Sequence, residues 1–149
     1  MNFKIDWVLQ NELAIGSIPK TYQHVLELKN QKIKWIFSLC DKNEVDIDFD
    51  YEDYFSCRRV VLPDHKYGKP PTIKQLNLAL DNLAEIIKYG PVYIHCVAGV
   101  ERSPLVCMAW LVQNYYLTPT QALDYLMDIH IGTNPLPEQL RLLYLIQKK

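Results

Sequence analysis

The run VYIHCVAGVERSP, Val92 to Pro104, sets a His-Cys pair and an Arg-Ser pair at the two ends of a short loop between two apolar segments. A loop passing from a strand into a helix turns successive backbone N–H groups inward and makes an anion-binding nest at the helix N-terminus. Val97, Ala98, Gly99, Val100, Glu101 and Arg102 would supply those amides, with Gly99 free to take a positive φ. The planar fork of Arg102 suits two oxygens of one oxyanion. Cys96, at the floor of such a cradle, is the candidate nucleophile, because the amides and helix dipole that hold an anion also favour a thiolate. Ser103 can donate a hydrogen bond to that sulfur, and His95 can order the loop through its ring nitrogens. A cysteine that serves only packing has no use for a nest, an Arg and a Ser around it. Thiolate attack at phosphorus also needs a proton donor for the leaving oxygen. Asp64 is the candidate, in VVLPDHKYGKPPT, where a strand ends at Leu62-Pro63 and a loop runs to Pro70-Pro71. The bland alternative for Asp64 is a turn residue after proline. His65 is the second candidate donor, and Lys66 and Lys69 on the same loop could attract an anionic substrate or only keep the loop solvated.

The elements that must carry these residues alternate in type. Short strands are expected at Phe3 to Leu9 and Leu13 to Ile15, then a helix after Thr21 ending near Asn30, then strands at Ile33 to Leu39 and Phe55 to Leu62. Thr72 caps a helix whose apolar positions Ile73, Leu76, Leu80, Leu83 and Ile87 recur at helical spacing, and Gly90-Pro91 stops it. Val92 to Ile94 has no polar residue, as a strand covered on both sheet faces requires. Pro104 to Val112, apolar all round, predicts a buried helix. Thr118-Pro119-Thr120-Gln121 joins an N-cap, a first-turn proline and a capping-box Gln. It opens a helix that buries Ala122, Leu123, Leu126 and Ile129 and stops at Gly132. Pro135 to Gln147 is the last expected helix, with Leu136, Leu140 and Leu143 inward. Strands alternating with helices, then a helical C-terminal third, predict one α/β domain over residues 1–149 with helices on both faces of its sheet.

Composition narrows the function classes. With 149 residues, 49% hydrophobic and 22% charged, the chain fits one globular domain with its own core. Sixteen basic against seventeen acidic side chains leave a formal charge of −1, so no global field attracts nucleic acid or an anionic membrane, and neither is an expected partner. The first ten residues carry Lys4 and Asp6 and do not read as a signal peptide, and no apolar run approaches the roughly 18 residues of a membrane span. Cys40, Cys57, Cys96 and Cys107 include no C-x-x-C pair, which leaves a zinc ribbon or thioredoxin-type motif unsupported and points to reduced thiols in the cytoplasm. The stretch Asp41 to Asp53 holds seven acids and one lysine, interleaved with Val45, Ile47, Phe49 and Tyr51. It is expected to be a solvated loop or short edge strand rather than a partner site.

HCVAGVERS resembles the His-Cys-x5-Arg-Ser/Thr signature of the cysteine-dependent protein tyrosine phosphatase superfamily. The short chain and the spacing of Asp64 to Cys96 are similar to its dual-specificity branch, above all the compact atypical members. Asn134 to Leu140, NPLPEQL, is similar to the segment that opens that branch's last helix, so the resemblance covers about residues 5–147. It implies a twisted, mostly parallel sheet of four or five strands flanked by helices, and a two-step hydrolysis with no metal or other cofactor. Cys96 would attack phosphorus in line, and Arg102 with the loop amides would stabilise the equatorial oxygens. Asp64 would protonate the leaving hydroxyl and then activate the water that cleaves a cysteinyl phosphate, with Ser103 assisting. Two departures stand out. Glu101 lies where many members carry Gly or another small or neutral residue; it is expected to disfavour highly charged substrates unless it points away or pairs with Arg102 or a neighbouring loop. Val97 to Glu101 holds no Lys, unlike phosphoinositide-directed relatives. Ala98-Gly99-Val100 is similar to the loop of glucan phosphatases, but 149 residues leave no room for a separate carbohydrate-binding domain.

The implied substrate is a phosphorylated protein carrying phosphotyrosine, with or without phosphoserine and phosphothreonine. No extra segment that would build a deep tyrosine pocket is evident, which leans towards dual specificity, and Tyr67 could stack on a phosphotyrosine ring. Two alternatives stay open. One is a phosphatase on glucan, nucleotide, RNA 5′-phosphate or lipid. The other is a non-catalytic phosphate-binding module, against which the joint presence of Cys96, Arg102 and Asp64 speaks. A rhodanese-type sulfurtransferase fits the Asp64 donor and the Arg-Ser ending poorly. The chain is expected to work as a monomer. A loop thiolate is open to oxidation, with Cys57 or Cys40 as a resolving partner and Cys107 in the core.

Overall fold

An antiparallel hairpin opens the fold: β1 (Asp6–Leu9) and β2 (Leu13–Gly16), with Asp6 opposite Ile15. The computed structural model describes residues 3–46, 49–64 and 69–148. α1 (Tyr22–Asn30) starts where the Thr21 hydroxyl accepts from the His24 N–H. β3 (Trp35–Ser38) leads into two 3-10 turns, Lys42–Glu44 and Tyr51–Asp53, capped by the Asp41 and Asp50 side chains. β4 (Ser56–Arg59) follows, then α2 (Ile73–Ile86), which Thr72 and Gln75 open as a reciprocal capping box. β5 (Val92–His95), α3 (Arg102–Tyr115), α4 (Pro119–Ile129) and α5 (Pro137–Leu142) complete the order.

The sheet runs β1-β2-β5-β3-β4, antiparallel only at the β1–β2 pair. β5 is central and all four of its residues are buried. Alternation along it splits the core. Val92 and Ile94 join α2, α3 and α4 on one face, through Leu76, Leu80, Leu83, Leu105 and Leu126. Tyr93 joins Val25 and Leu28 of α1 on the other. The expected α/β sheet with helices on both faces is therefore what forms. Ligands in such sheets bind beyond the C-terminal strand ends, and that is where β5 hands the chain to the loop before α3.

Several elements are shorter than the periodicity predicts, while β2, β5 and α3 run longer than expected. The strand expected from Phe3 begins at Asp6, and that expected over Ile33 to Leu39 is Trp35–Ser38. β4 ends at Arg59, although Val60 and Leu62 N–H still reach the Ser38 and Leu39 carbonyls at 3.0 and 2.9 Å. The last helix spans Pro137–Leu142 and tightens into a 3-10 turn at Leu143–Leu145, because Pro137 fixes the first turn and Leu136 stays outside as the cap. The acidic stretch is neither an edge strand nor only a solvated loop: its two turns carry Glu44 and Tyr51 inward. Ile47 and Asp48 lie outside the described residues. Among the described residues no helix is long and apolar enough to cross a membrane.

Candidate active site

His95 ends β5 fully buried, and burial, helped by the nearby Arg59 and Arg102 cations, pushes its pKa down to about 4. The ring is therefore neutral at pH 7. Its Nδ1 lies 2.8 Å from the Cys96 carbonyl, which can only accept, so Nδ1 carries the hydrogen. Nε2 accepts from the Ser38 hydroxyl at 2.7 Å. Tyr51 OH is 2.7 Å from Ser38 Oγ, and Arg59 Nη2 donates to Tyr51 OH at 3.0 Å. One directed chain thus runs from a cation on β4 to the first carbonyl of the loop.

Four loop carbonyls are tied back in this way. Cys96 is held by His95 Nδ1, Val97 by the Ile18 N–H at 3.2 Å, Gly99 by His130 Nε2 at 2.7 Å and Val100 by the Asn134 N–H at 2.8 Å. No peptide bond here is cis, so the N–H after each carbonyl points the opposite way. The amides of Val97, Ala98, Val100 and Glu101 consequently each point away from the anchor of the carbonyl in the same peptide. Gly99 has φ +77°, and a Cβ there would come within 2.9 Å of the Gly16 carbonyl oxygen, so the position needs glycine.

Arg102 opens α3 with its side chain only 3% exposed. Nη1 and Nη2 donate to the two Glu44 oxygens at 3.0 and 2.7 Å, and Nη1 also reaches the Leu62 carbonyl at 3.1 Å. Burial works against the guanidinium charge, but Glu44, Cys96 and Asp64 outweigh it and the net pKa shift is upward. Asp64 Oδ2 stands 3.9 Å from Nη2. Buried Arg102 Nε finds no hydrogen-bond partner among the described residues. Cys96 is buried with Sγ 3.3 Å from Ser103 Oγ.

The structure therefore gathers Cys96, Arg102, Ser103, His95 and Asp64 in one place. Glu101 is buried at the head of α3, where its carbonyl accepts from Leu105 N–H, while the Arg102 fork is paired with Glu44. His65, Lys66 and Tyr67 lie outside the described residues, and Lys69 is exposed. Sequence reasoning missed Glu44, Tyr51, Ser38, Arg59, His130 and Asn134. For Glu44 a signal existed: Asp41-Lys42-Asn43-Glu44 is a capping-box pattern shortly after a strand, and it forms, fixing a turn at the same C-terminal end of the parallel strands as the loop.

A cavity of about 400 Å³ beside the site is lined by Ile18, Val45, Phe49, Tyr51, Lys42 and Arg59. It touches the loop network through Ile18 and Tyr51. All four cysteines are free. Burial pushes the Cys40 and Cys57 thiols up to about 11 and Cys107 higher still, which makes Cys40 and Cys57 poor thiolates for the resolving role expected of them. Among the described residues no three His, Cys, Asp or Glu side chains are grouped so as to hold a metal ion.

Comparison with known proteins places this geometry. Residues 17–149 match the family model for the dual specificity phosphatase catalytic domain. Human dual specificity protein phosphatase 5 is 44% identical over 48 residues, which are 32% of this chain and 12% of that protein. Phosphatidylglycerophosphate phosphatase PTPMT2 of Arabidopsis thaliana is 24% identical over 118 residues, 78% of this chain and 51% of that protein. The chain thus spans about half, or far less, of the length of these two relatives. The crystal structure of PTPMT1 in complex with PI(5)P shares the fold, with a TM-score of 0.81, 17% identity, and coverage of 95% of this chain and 93% of that one. Since the matched span takes in every element after the β1–β2 hairpin together with the whole loop from Cys96 to Arg102, the chain belongs to the dual specificity phosphatase catalytic-domain family.

Proposed function

We propose that this phosphatase domain hydrolyses phosphomonoesters through a cysteinyl phosphate, without a metal, and that its substrates are proteins carrying phosphotyrosine, with phosphoserine and phosphothreonine also accepted. The observation that carries the reading is the tied-back loop: four carbonyls anchored outside leave four amides, with the Arg102 Nε–H, for the oxygens of one phosphate. Cys96 Sγ forms the S–P bond as the bond from phosphorus to the leaving oxygen breaks, and Asp64 gives that oxygen its proton. Water then attacks phosphorus, Asp64 takes a proton from it, and the S–P electron pair returns to sulfur, which the Ser103 hydroxyl stabilises. The four free cysteines support a reducing, cytoplasmic setting, and we take the working species to be the monomer.

A second reading rests on the relatives: one is named as a phosphatidylglycerophosphate phosphatase, and a structural neighbour was solved with PI(5)P. A phospholipid monoester is then the substrate. The test is hydrolysis of p-nitrophenyl phosphate in EDTA by the wild type beside Cys96→Ser. Turnover in the wild type and none in the variant is expected; equal rates in two folded proteins would sink the cysteine mechanism. Phosphotyrosyl and phosphothreonyl peptides compared with vesicles containing phosphatidylglycerophosphate then separate the two substrate classes.

A further inference from the structure

His130 is the C-cap of α4 and is buried between β1 and the loop. Its Nδ1 lies 2.6 Å from Asp6 Oδ2 on β1, and its Nε2 lies 2.7 Å from the Gly99 carbonyl. A backbone carbonyl only accepts, so Nε2 must carry a hydrogen. The 2.6 Å Asp6 contact needs one more proton, shared between Nδ1 and Oδ2. The neighbourhood suits a cation: α4 ends at His130 with the negative end of its dipole. The helix end is itself fixed, by Tyr125 OH to the Val8 carbonyl at 2.6 Å and Thr133 Oγ1 to the His130 carbonyl at 2.7 Å. Tyr93 on β5 feels the Asp6 charge, and the Gly16 backbone of β2 lies against Gly99 beside the ring.

We infer that Asp6 and His130 form a positioning couple for the phosphate loop, a doubly protonated ring paired with a carboxylate, acting through the Gly99–Val100 peptide. By holding the Gly99 carbonyl, the imidazolium turns the Val100 N–H the other way, towards the oxyanion, and polarises it. Of the four carbonyl anchors it is the only one that places a charged donor on the loop: Ile18 and Asn134 use backbone N–H groups, and His95 is neutral. Asp6 sets the tautomer and keeps the charge. This inference rests on the phosphatase reading for its kinetic arm only.

The test compares wild type, His130→Ala, His130→Gln and Asp6→Asn. It measures kcat and KM for p-nitrophenyl phosphate, affinity for inorganic phosphate and orthovanadate, and ring 15N shifts of His130 at neutral pH. Two protonated ring nitrogens are expected in the wild type. His130→Ala is expected to lower kcat/KM about a hundredfold and to weaken both anions about tenfold, since a displaced amide loses its aim. His130→Gln, whose amide can still donate to Gly99, should regain about tenfold of kcat/KM, with Asp6→Asn between. If the wild type turns over nothing, the phosphatase reading fails alone, and anion affinity with the ring shifts still decides the couple. A neutral His130 ring, unchanged anion affinity in folded His130→Ala, or equal losses in the Ala and Gln variants would overturn it, as would a wild type that binds neither anion.

Discussion

Glu44 decides how the site's central charge is held. Both of its oxygens are taken by Arg102, and the two side chains are only 9% and 3% exposed. Removing one partner of a buried pair strands the other, at about 3 kcal/mol or more. Glu44→Ala is therefore expected to lose about 3 kcal/mol in urea unfolding without phosphate, and inorganic phosphate should restore part of it by giving Arg102 a new anion. An Ala variant as stable as wild type, with no larger response to phosphate, would refute this account. His95 makes a second prediction, on pH. Its folded pKa of about 4 lies below the ordinary value of about 6.5, so the unfolded chain binds the proton first. The contribution is complete above about pH 6.5 and is lost as pH falls towards 4, on the order of 3 kcal/mol. Unfolding free energies across that window should fall more steeply for wild type than for His95→Asn; equal slopes would mean that His95 titrates normally.

Between single residues and the whole molecule stands the unit of β5, loop and α3. Gly99→Ala tests it directly. A Cβ at φ +77° would press on the Gly16 carbonyl, so the loop must shift or distort, at about 1–3 kcal/mol. The expected result is a folded protein by circular dichroism whose kcat/KM for p-nitrophenyl phosphate falls about a hundredfold, because the amides lose their aim. Near-normal kcat/KM would show that the loop tolerates a side chain there. This unit was legible in the sequence because its signals are local: an apolar strand, a glycine where the chain must turn, an Arg-Ser helix start, and apolar residues on every side of α3. The Thr21, Thr72 and Thr118 caps were legible for the same reason. The anchors were not. Ile18, Glu44, His130 and Asn134 reach the loop or its Arg102 only because β5 inserts between β2 and β3, which brings distant chain together at the C-terminal ends of these strands. No periodicity records that order. Glu44 and Tyr51 were further hidden by acidic neighbours that do face solvent.

At the scale of the molecule, α2 contributes to the core but not to the loop's anchors. The loop's carbonyls are held by Ile18 after β2, His95 ending β5, His130 capping α4 and Asn134 beyond it, and none of these anchors lies on α2. Leu83 on α2 is fully buried in the apolar cluster it shares with α3 and α4 and touches none of the catalytic candidates by hydrogen bond or charge. Leu83→Ala should leave a cavity and cost about 3 kcal/mol, within the usual range for such truncations. In a chain of this size that lowers the melting midpoint by roughly 6–12 °C. A domain with roughly 5–15 kcal/mol in hand stays folded at 25 °C. Because the loop is fixed by other elements, kcat/KM at 25 °C is expected to stay within about twofold of wild type, as for sites that do not share partners. A tenfold loss of kcat/KM in fully folded Leu83→Ala would show that α2 transmits its packing to the loop through β5, and that core and site are one mechanical unit.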